Sequence, residues 1–260
     1  MGSAPRIERR RATISSMSSE ILVVDCGVVP YDEAVVAQRW LVGARQDGSI
    51  PDVLLLLEHT PVYTRGRRST PQELPMAAEW YEMQGIAVRD TDRGGRVTYH
   101  GPGQLVAYPI VSLEPYGDDV HEYVRRLERV AIAALAAHGV ETETIEGLTG
   151  IWTLGEAPGS SAGPDEAHKI GSIGVHVSRG VTTHGLAINV NNDLQPFDWI
   201  VPCGIEGVRM TSLSRELGDE QDLAVFAATV VAQFGKVFDR EPLHADPADL
   251  GLHNARLGVQ

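Results

Sequence analysis

The chain carries, between residues 93 and 104, the stretch Arg93-Gly94-Gly95-Arg96-Val97-Thr98-Tyr99-His100-Gly101-Pro102-Gly103-Gln104. Four of these twelve residues are glycine, and glycine at this density allows sharp turns and close approach of the backbone to a ligand. The stretch is neither a P-loop nor a GxGxxG dinucleotide fingerprint. The alternating run from Arg96 to His100 and the apolar run from Leu105 to Val111 predict a β-hairpin. A ligand-contacting loop and a plain tight hairpin both fit this pattern.

Apolar runs and amphipathic segments alternate around this stretch, which is typical of a single α/β domain. Strands are predicted at Ile21–Asp25, Val53–Leu57, Ile86–Val88, Glu141–Ile145, Gly150–Leu154, Ile170–Val177 and Gly185–Val190, and helices at Tyr31–Gln46, Met76–Met83, Val120–His138 and Asp222–Phe238. The segment His59–Pro71 is predicted to be a loop, and Gly155–Ala167 a mobile surface loop. We expect a disordered leader at residues 1–20, a catalytic domain at 21–240 and a loosely packed tail at 241–260.

Composition narrows the classes of partner. The formal net charge is −13 and the pI is about 5.1, which argues against binding of nucleic acid or anionic membranes. No apolar run approaches the ~20 residues of a membrane span, and residues 1–20 lack the apolar segment of a secretory signal. We therefore expect a cytoplasmic protein with no membrane or nucleic-acid partner. A monomer is a separate expectation that the composition does not test.

The two cysteines, Cys26 and Cys203, are too few for a disulfide framework. Cys203 stands between Pro202 and Gly204, a context that favours a turn able to present a thiol beside a free backbone N–H. Such a thiol becomes a nucleophile as its thiolate. The alternative is a buried cysteine that packs as a small hydrophobe, and this interpretation is favoured for Cys26, which ends an apolar strand.

Lys169 is one of only two lysines and begins the run Lys169–Gly174. An ammonium group near Cys203 would stabilise the thiolate, and the same amine can move protons during acyl transfer. The alternative for Lys169 is a strand-edge charge that prevents aggregation. The other lysine, Lys236, lies on the polar side of an amphipathic helix.

The cysteine and histidine residues suggest two further kinds of site. A protease-like arrangement would combine Cys203 with His100 or His184 and with Asn189, but no cysteine-protease signature surrounds Cys203. A metal site has even less support, because the chain has no CxxC or HExxH motif and its histidines are dispersed. We expect neither a metal nor a cofactor.

Taken in series, four segments resemble the lipoyl(octanoyl) transferase family: 93–104, Lys169–Gly174, Thr183–Asn189 and Val201–Ile205. The resemblance extends over most of Ile21 to Phe238. It implies a fold like that of the biotin and lipoate protein ligases, with a mixed sheet flanked by helices in one α/β domain. The loop Gly155–Ala167 looks longer than is usual for the family.

The resemblance also implies an activity and its partners. An octanoyl group would move from octanoyl-acyl carrier protein to a lysine of the lipoyl domains of 2-oxo acid dehydrogenase complexes or of the glycine cleavage H protein, as the first step of endogenous lipoate synthesis. By this resemblance Cys203 matches the acyl-thioester nucleophile, and Lys169 the residue that lowers its pKa. The matching substrate-contacting residues are Arg93, Gly94, Gly95, Arg96, Val97, Thr98, Tyr99, His100, Ser172, Ile173, Gly174, Gly185, Leu186 and Ala187.

Two alternatives stay open at this point: an ATP-dependent lipoate or biotin ligase on the same scaffold, and a non-catalytic module that binds an acyl chain or a lipoyl domain. Both expected protein partners tend to be acidic, as this chain is, so docking should use a local arginine patch. The candidates are Arg65, Arg67 and Arg68, or else Arg125, Arg126 and Arg129.

Overall fold

A computed structural model describes residues 19–153, 167–201 and 208–252. Cys203, residues 155–166 of the predicted loop, residues 1–18 of the predicted leader and residues 253–260 of the predicted tail lie outside the described residues.

The described residues form strands and helices in alternation, as predicted. The strands are β1 (Glu20–Val29), β2 (Asp52–His59), β3 (Val62–Arg65), β4 (Ala87–Asp90), β5 (Thr98–His100), β6 (Gln104–Ile110), β7 (Thr142–Ile145), β8 (Leu148–Thr153), β9 (His168–Ser178), β10 (Val181–Asn189), β11 (Arg209–Met210) and β12 (Glu241–His244). The helices are α1 (Tyr31–Gln46), α2 (Ala78–Met83), α3 (Val120–Ala137), α4 (Gln195–Asp198), α5 (Leu213–Leu217) and α6 (Leu223–Phe238). Across these ranges, no helix has the length and apolar character that crossing a bilayer requires.

The larger sheet is mixed. Its described strands follow the order β12-β1-β2-β6-β10-β9-β8-β7, and β11 adds to β9. The pairs β1–β12, β1–β2 and β11–β9 are parallel, and the others are antiparallel. A smaller sheet has the order β4-β3-β5. The predicted fold class, a mixed sheet flanked by helices in one α/β domain, is confirmed.

Strand β2 shows how the sequence produces this layering. Leu54 and Leu56 pack with α3 and α6 in one core, called here the α3–α6 core. Val53, Leu55 and Leu57 pack on the opposite face with α1, in the α1 core. Because both faces of the strand are buried, its sequence is continuously apolar instead of alternating.

The predicted hairpin between residues 96 and 111 is wrong. Strand β5 pairs with β3 in the smaller sheet, whereas β6 lies between β2 and β10 in the larger sheet. The chain changes sheets at Gly103, which has φ +85° and whose Cβ position would lie 2.7 Å from the backbone N of Asn192. Only glycine fits such a turn. The loop predicted at His59–Pro71 likewise contains a strand, β3, which pairs with β4 and β5.

The tail expected to be loosely packed from residue 241 is instead part of the domain as far as residue 252. Strand β12 pairs with β1 at the edge of the larger sheet. Leu250 and Leu252 are buried in the α1 core, and the Trp40 Nε1–H donates to the Leu250 carbonyl at 3.0 Å. Apolar burial and strand pairing therefore hold this segment, which its Pro-, His- and Asp-rich sequence did not indicate.

His59 at the end of β2 is fully buried. Its Nδ1–H donates to the Val29 carbonyl at 2.8 Å, which leaves Nε2 to accept from the Tyr108 hydroxyl at 2.8 Å. Burial is the main cause that lowers the pKa of His59 to about 4. The folded protein therefore holds this imidazole neutral.

This histidine predicts an acid-sensitive contribution to stability. Between pH 6.5 and about 4 the unfolded chain binds a proton at His59 that the folded chain does not. The contribution of neutral His59 to the free energy of unfolding is therefore fully present above pH 6.5. It decreases as the pH is lowered through this range, by about 1.4 kcal/mol per pH unit. The free energy of unfolding can be measured with urea at several pH values across this range. Its slope against pH should be smaller in His59→Gln than in the parent, by the equivalent of about one proton. The exposed His121 provides the control His121→Gln, which removes an imidazole that is not buried. A parental slope in His59→Gln would contradict the assignment.

Candidate active site

A cavity of about 300 Å³ opens on the α1 face of the larger sheet, where Val106, Tyr108 and Ala187 contribute to its wall. The cavity brings together most of the residues that the sequence motifs singled out. Those that line it are Arg93, Gly95, Arg96, Val97, Thr98, His100, Lys169, Ser172, Ile173, Gly174, Gly185, Leu186 and Ala187. Two do not: Gly94 donates its N–H to the Val175 carbonyl, and Tyr99 packs against Tyr63 and Phe197 under the smaller sheet.

A β-bulge in β9 determines where Lys169 points. On β8, the adjacent residues Ile151 and Trp152 oppose Gly171 and Lys169, so Ile170 is an extra residue in the ladder. A bulge of this kind re-aims the side chains that flank it.

The consequence is that Lys169 and Ser172 line the same cavity, although residues three apart on a regular strand face opposite sides. Ile170 packs into the α3–α6 core. Gly171 faces that core as well, since its Cβ position would lie 3.1 Å from a side-chain carbon of Ile151. Because the two successive residues Ile170 and Gly171 face the core, Lys169 and Ser172 on either side of them both face the cavity.

The Lys169 side chain is almost fully buried, with 1% of its surface exposed. Its Nζ donates to the Thr149 carbonyl at 3.0 Å and lies 5.3 Å from the centre of the Trp152 ring. A buried amine needs such partners, because burial without hydrogen bonds is costly. Both partners belong to β8, so this strand holds the amine in the cavity wall.

The described chain that follows residues 202–207 lies beside this lysine. Val201 is the last described residue before Cys203, and its N–H donates to the Glu73 carbonyl at 3.0 Å. The description resumes at Val208, and Met210 of β11 is in register with Lys169. The Thr211 N–H donates to the Lys169 carbonyl at 3.0 Å. The position of Cys203 itself lies outside the described residues.

Arg93 organises the glycine-rich stretch from within. Its Nη2 donates to the Thr64 carbonyl at 2.7 Å and to the Arg96 carbonyl at 2.8 Å, and its Nη1 donates to the Gly94 carbonyl at 2.9 Å. A Cβ on Gly66 would lie 2.7 Å from this guanidinium. Gly95 and Gly174, which line the cavity, also leave space for Arg93, since their Cβ positions would lie 3.3 and 3.0 Å from its side chain.

The hydrogen bonds of His100 define its tautomer. Gln104 uses its amide N–H groups on the Tyr99 carbonyl and on Asn189 Oδ1, so its oxygen accepts the His100 Nδ1–H at 2.6 Å. Burial is the main cause that lowers the pKa of His100 well below its usual value. Asn189 in turn donates to the Thr211 carbonyl at 2.9 Å. This buried chain connects the cavity side of β5 to the segment that follows Cys203.

His184 occupies another part of the cavity wall. Its Nε2 contacts Asp92 Oδ1 at 2.8 Å, and its backbone has φ +58°, an uncommon conformation for a non-glycine residue. Burial lowers the pKa of His184 despite the opposing effect of Asp92. His184 is thus held by a carboxylate and His100 by an amide, and Asn189, the third member of the protease-like alternative, hydrogen-bonds to neither histidine within the described residues.

The sequence motifs missed several residues of the site. Tyr31, Arg68, Tyr108 and Thr149 line the cavity. The buried Glu73 accepts from Arg96 Nη1 at 2.5 Å and from the Val97 N–H at 3.1 Å, and both of these partners line the cavity. Apart from Arg68, which the sequence indicated only as part of a docking patch, nothing in the local sequence marked these residues, because each reaches the site through tertiary contacts. In the part of the chain that the structure describes, no cluster of three or more His, Cys, Asp or Glu side chains could hold a metal ion.

Comparisons with solved structures support the fold. A bipartite lipoate protein ligase from Thermoplasma acidophilum superposes with a TM-score of 0.67 over 93% of this chain and 91% of that chain, at 15% identity. A lipoate-protein ligase A bound with ATP gives a TM-score of 0.66 over 92% of this chain and 93% of that chain, at 14% identity. At these identities the likeness concerns the fold alone.

Comparisons of sequence are more specific. The model of the lipoyl protein ligase A/B catalytic domain matches residues 30–235. An octanoyltransferase of Acidobacterium capsulatum is 44% identical over 86% of this chain and 93% of its own length. Octanoyltransferases of Chloroflexus aurantiacus and Mycobacterium leprae are 47% and 49% identical, over 83% and 79% of this chain and 93% and 83% of their own lengths. The family predicted from the motifs is confirmed: the chain belongs to the octanoyltransferases, within the lipoyl protein ligase A/B catalytic domain family.

Proposed function

We propose that the protein transfers an octanoyl group from octanoyl-acyl carrier protein, through a thioester on Cys203, to a lysine of a lipoyl domain. The acceptors would be the lipoyl domains of 2-oxo acid dehydrogenase complexes and the glycine cleavage H protein. The observation that carries the proposal is the buried amine of Lys169 in the cavity wall, with the segment that follows Cys203 bonded to the Lys169 backbone. We further propose that the enzyme acts as a monomer in the cytoplasm, where thiols stay reduced.

The first half-reaction exchanges one thioester for another. The Lys169 ammonium stabilises the Cys203 thiolate, which attacks the carbonyl carbon of the carrier-bound octanoyl group. The bond from that carbon to the carrier sulfur breaks, and the leaving carrier thiolate takes a proton from the Lys169 ammonium, which becomes a neutral amine. Because the bonds made and broken are alike, the enzyme chiefly supplies a thiolate, its position and donors for the oxyanion.

The second half-reaction forms an amide. The acceptor lysine attacks the acyl-Cys203 carbonyl as a neutral amine, the Cys203 sulfur leaves as thiolate, and the amine passes its surplus proton to Lys169. Amide formation from a thioester is downhill, so ATP is not required.

The cavity has a size that suits a short acyl chain. Its volume of about 300 Å³ is at the lower end of the range for small-molecule sites. Val106, Leu186 and Ala187 supply apolar wall. The hydroxyl-bearing Tyr31 and Tyr108 also line it, so the site is less uniformly apolar than a simple acyl slot.

Of the two arginine patches, the first is the better candidate for docking the carrier protein. Arg67 and Arg68 are exposed, Arg68 lines the cavity, and their backbone N–H groups donate to the Arg93 and Gly95 carbonyls. Within the described residues neither guanidinium is paired with a carboxylate. The neighbouring Arg65 is paired with Asp90.

The second patch is less available. Arg126 and Arg129 are both paired with Glu122, and α3, which carries them, packs in the core on the opposite face from the α1 core.

Charge reversal distinguishes the two patches. Arg67→Glu/Arg68→Glu should raise the KM for octanoyl-acyl carrier protein by about tenfold at low salt and reduce the salt dependence of that KM. The reason is that charges at the edge of a binding surface steer the association of the two proteins. The matched control Arg125→Glu/Arg129→Glu, also exposed, should change KM little. Steady-state rates at about 25 mM salt, where the Debye length is long, and at about 300 mM salt, where it is short, measure both effects. An unchanged KM in the first variant, or a larger change in the second, would contradict docking at Arg67 and Arg68.

A covalent intermediate is the main prediction of the proposal. Intact-mass analysis after mixing with octanoyl-acyl carrier protein, without ATP, should show one hydroxylamine-sensitive octanoyl adduct that disappears in Cys203→Ala. Adding a lipoyl domain should discharge the adduct onto the acceptor. A strict ATP requirement with full activity in Cys203→Ala would establish a ligase, and binding without any adduct would establish a non-catalytic module.

A further inference from the structure

Gly150 of β8 lies directly against the side chain of Lys169. Its backbone has φ +134°, and a Cβ there would lie 2.5 Å from Lys169 Cε and 3.0 Å from Lys169 Nζ. The same Cβ would lie 2.7 Å from the Gly171 carbonyl oxygen. Distances below 3.0 Å from a Cβ do not occur in real structures, so any other residue at 150 would force a neighbour to move.

The neighbour able to move is the lysine. Gly171 belongs to the ladder with Ile188 of β10, which holds its backbone in place. The Lys169 side chain is flexible by nature, and only its surroundings keep it across the Gly150 α-carbon. Its surroundings include the Thr149 carbonyl and the Trp152 ring, which lie on either side of Gly150 in the same strand.

We propose that Gly150 is a positioning residue: the absence of its side chain creates the space along β8 through which Lys169 extends its amine into the cavity wall. The catalytic consequence rests on the function proposed above, whereas the structural placement does not. With alanine at 150, the amine is displaced from the Thr149 carbonyl, and the electrostatic support that Lys169 gives to acyl transfer is weakened.

Amine labelling tests the placement without any catalytic assay. Lys169 and Lys236 are the only lysines of the chain, and Lys236 is exposed, so it serves as an internal reference. Brief acetylation followed by peptide mass spectrometry should modify Lys169 at least about tenfold more slowly than Lys236 in the parent protein. In folded Gly150→Ala the Lys169/Lys236 ratio should rise about tenfold.

Gly139→Ala is the matched control. Gly139 also has a positive φ, +86°, but its Cβ position has no heavy atom within 4 Å. This variant carries backbone strain without a clash, and its labelling ratio should equal that of the parent.

The double variant Gly150→Ala/Lys169→Ala covers the case in which Gly150→Ala alone folds poorly. Removing the lysine side chain removes part of the clash, so the fall in Tm caused by Gly150→Ala should be smaller in the Lys169→Ala background than in the parent. Equal falls in both backgrounds, or a protected Lys169 in folded Gly150→Ala, would overturn the proposal.

Kinetics then connect placement to function. If Gly150 acts through Lys169, the acid limb of kcat/KM should move to higher pH in Gly150→Ala, whereas a merely structural defect lowers the rate equally at all pH values. A displaced lysine with an unchanged pH profile would overturn the catalytic part. A parent protein that forms no acyl adduct would sink the proposed function and leave the labelling result intact.

Discussion

The buried amine of Lys169 is the constraint around which this site is built. Burying a lysine is unfavourable unless its amine finds hydrogen-bond partners, and β8 supplies the Thr149 carbonyl as an acceptor and the Trp152 ring as a further contact. The bulge at Ile170 turns the side chain toward the cavity, and Gly150 leaves the space that it occupies. The pairing of β11 with β9 then brings the chain back beside the lysine directly after the segment that contains Cys203.

The glycine-rich stretch has a structural purpose as well as a place in the cavity wall. The Arg93 guanidinium donates hydrogen bonds to three backbone carbonyls. Gly66 and Gly174 leave space for its side chain. The arginine therefore stabilises the loop from inside, while Arg67 and Arg68 remain at the surface. Two arginine roles, one internal and one at the rim, are adjacent in the fold, because the Arg67 N–H donates to the Arg93 carbonyl.

The sequence predicted the fold class, the family and the main helices, because periodicity reports burial and the motifs are specific. Long amphipathic helices such as α3 began and ended close to the predicted residues. The hairpin between β5 and β6 was wrong because alternation indicates a strand without identifying its partner. The tail was misjudged for a similar reason, since Leu250 and Leu252 are buried by residues far away in the chain.

The site was predictable to the extent that its residues stand in motifs. Lys169 and His100, which the motifs single out, line the cavity, whereas Thr149 and Glu73 contribute a backbone carbonyl and a buried carboxylate that no local pattern marks. A glycine at the start of a predicted strand does indicate close approach of another group. For Gly150, only the bulged register between β8 and β9 identifies that group as Lys169.

The most direct measurement is the pH dependence of Cys203 alkylation by iodoacetamide, in the parent protein and in Lys169→Met. Burial raises the pKa of the other thiol, Cys26, to about 12, so it stays silent over the range used. An amine held beside the nucleophile predicts a Cys203 pKa at least about one unit below the ordinary 8.5, returning toward that value in Lys169→Met. Superimposable titration curves for the two proteins would contradict the account.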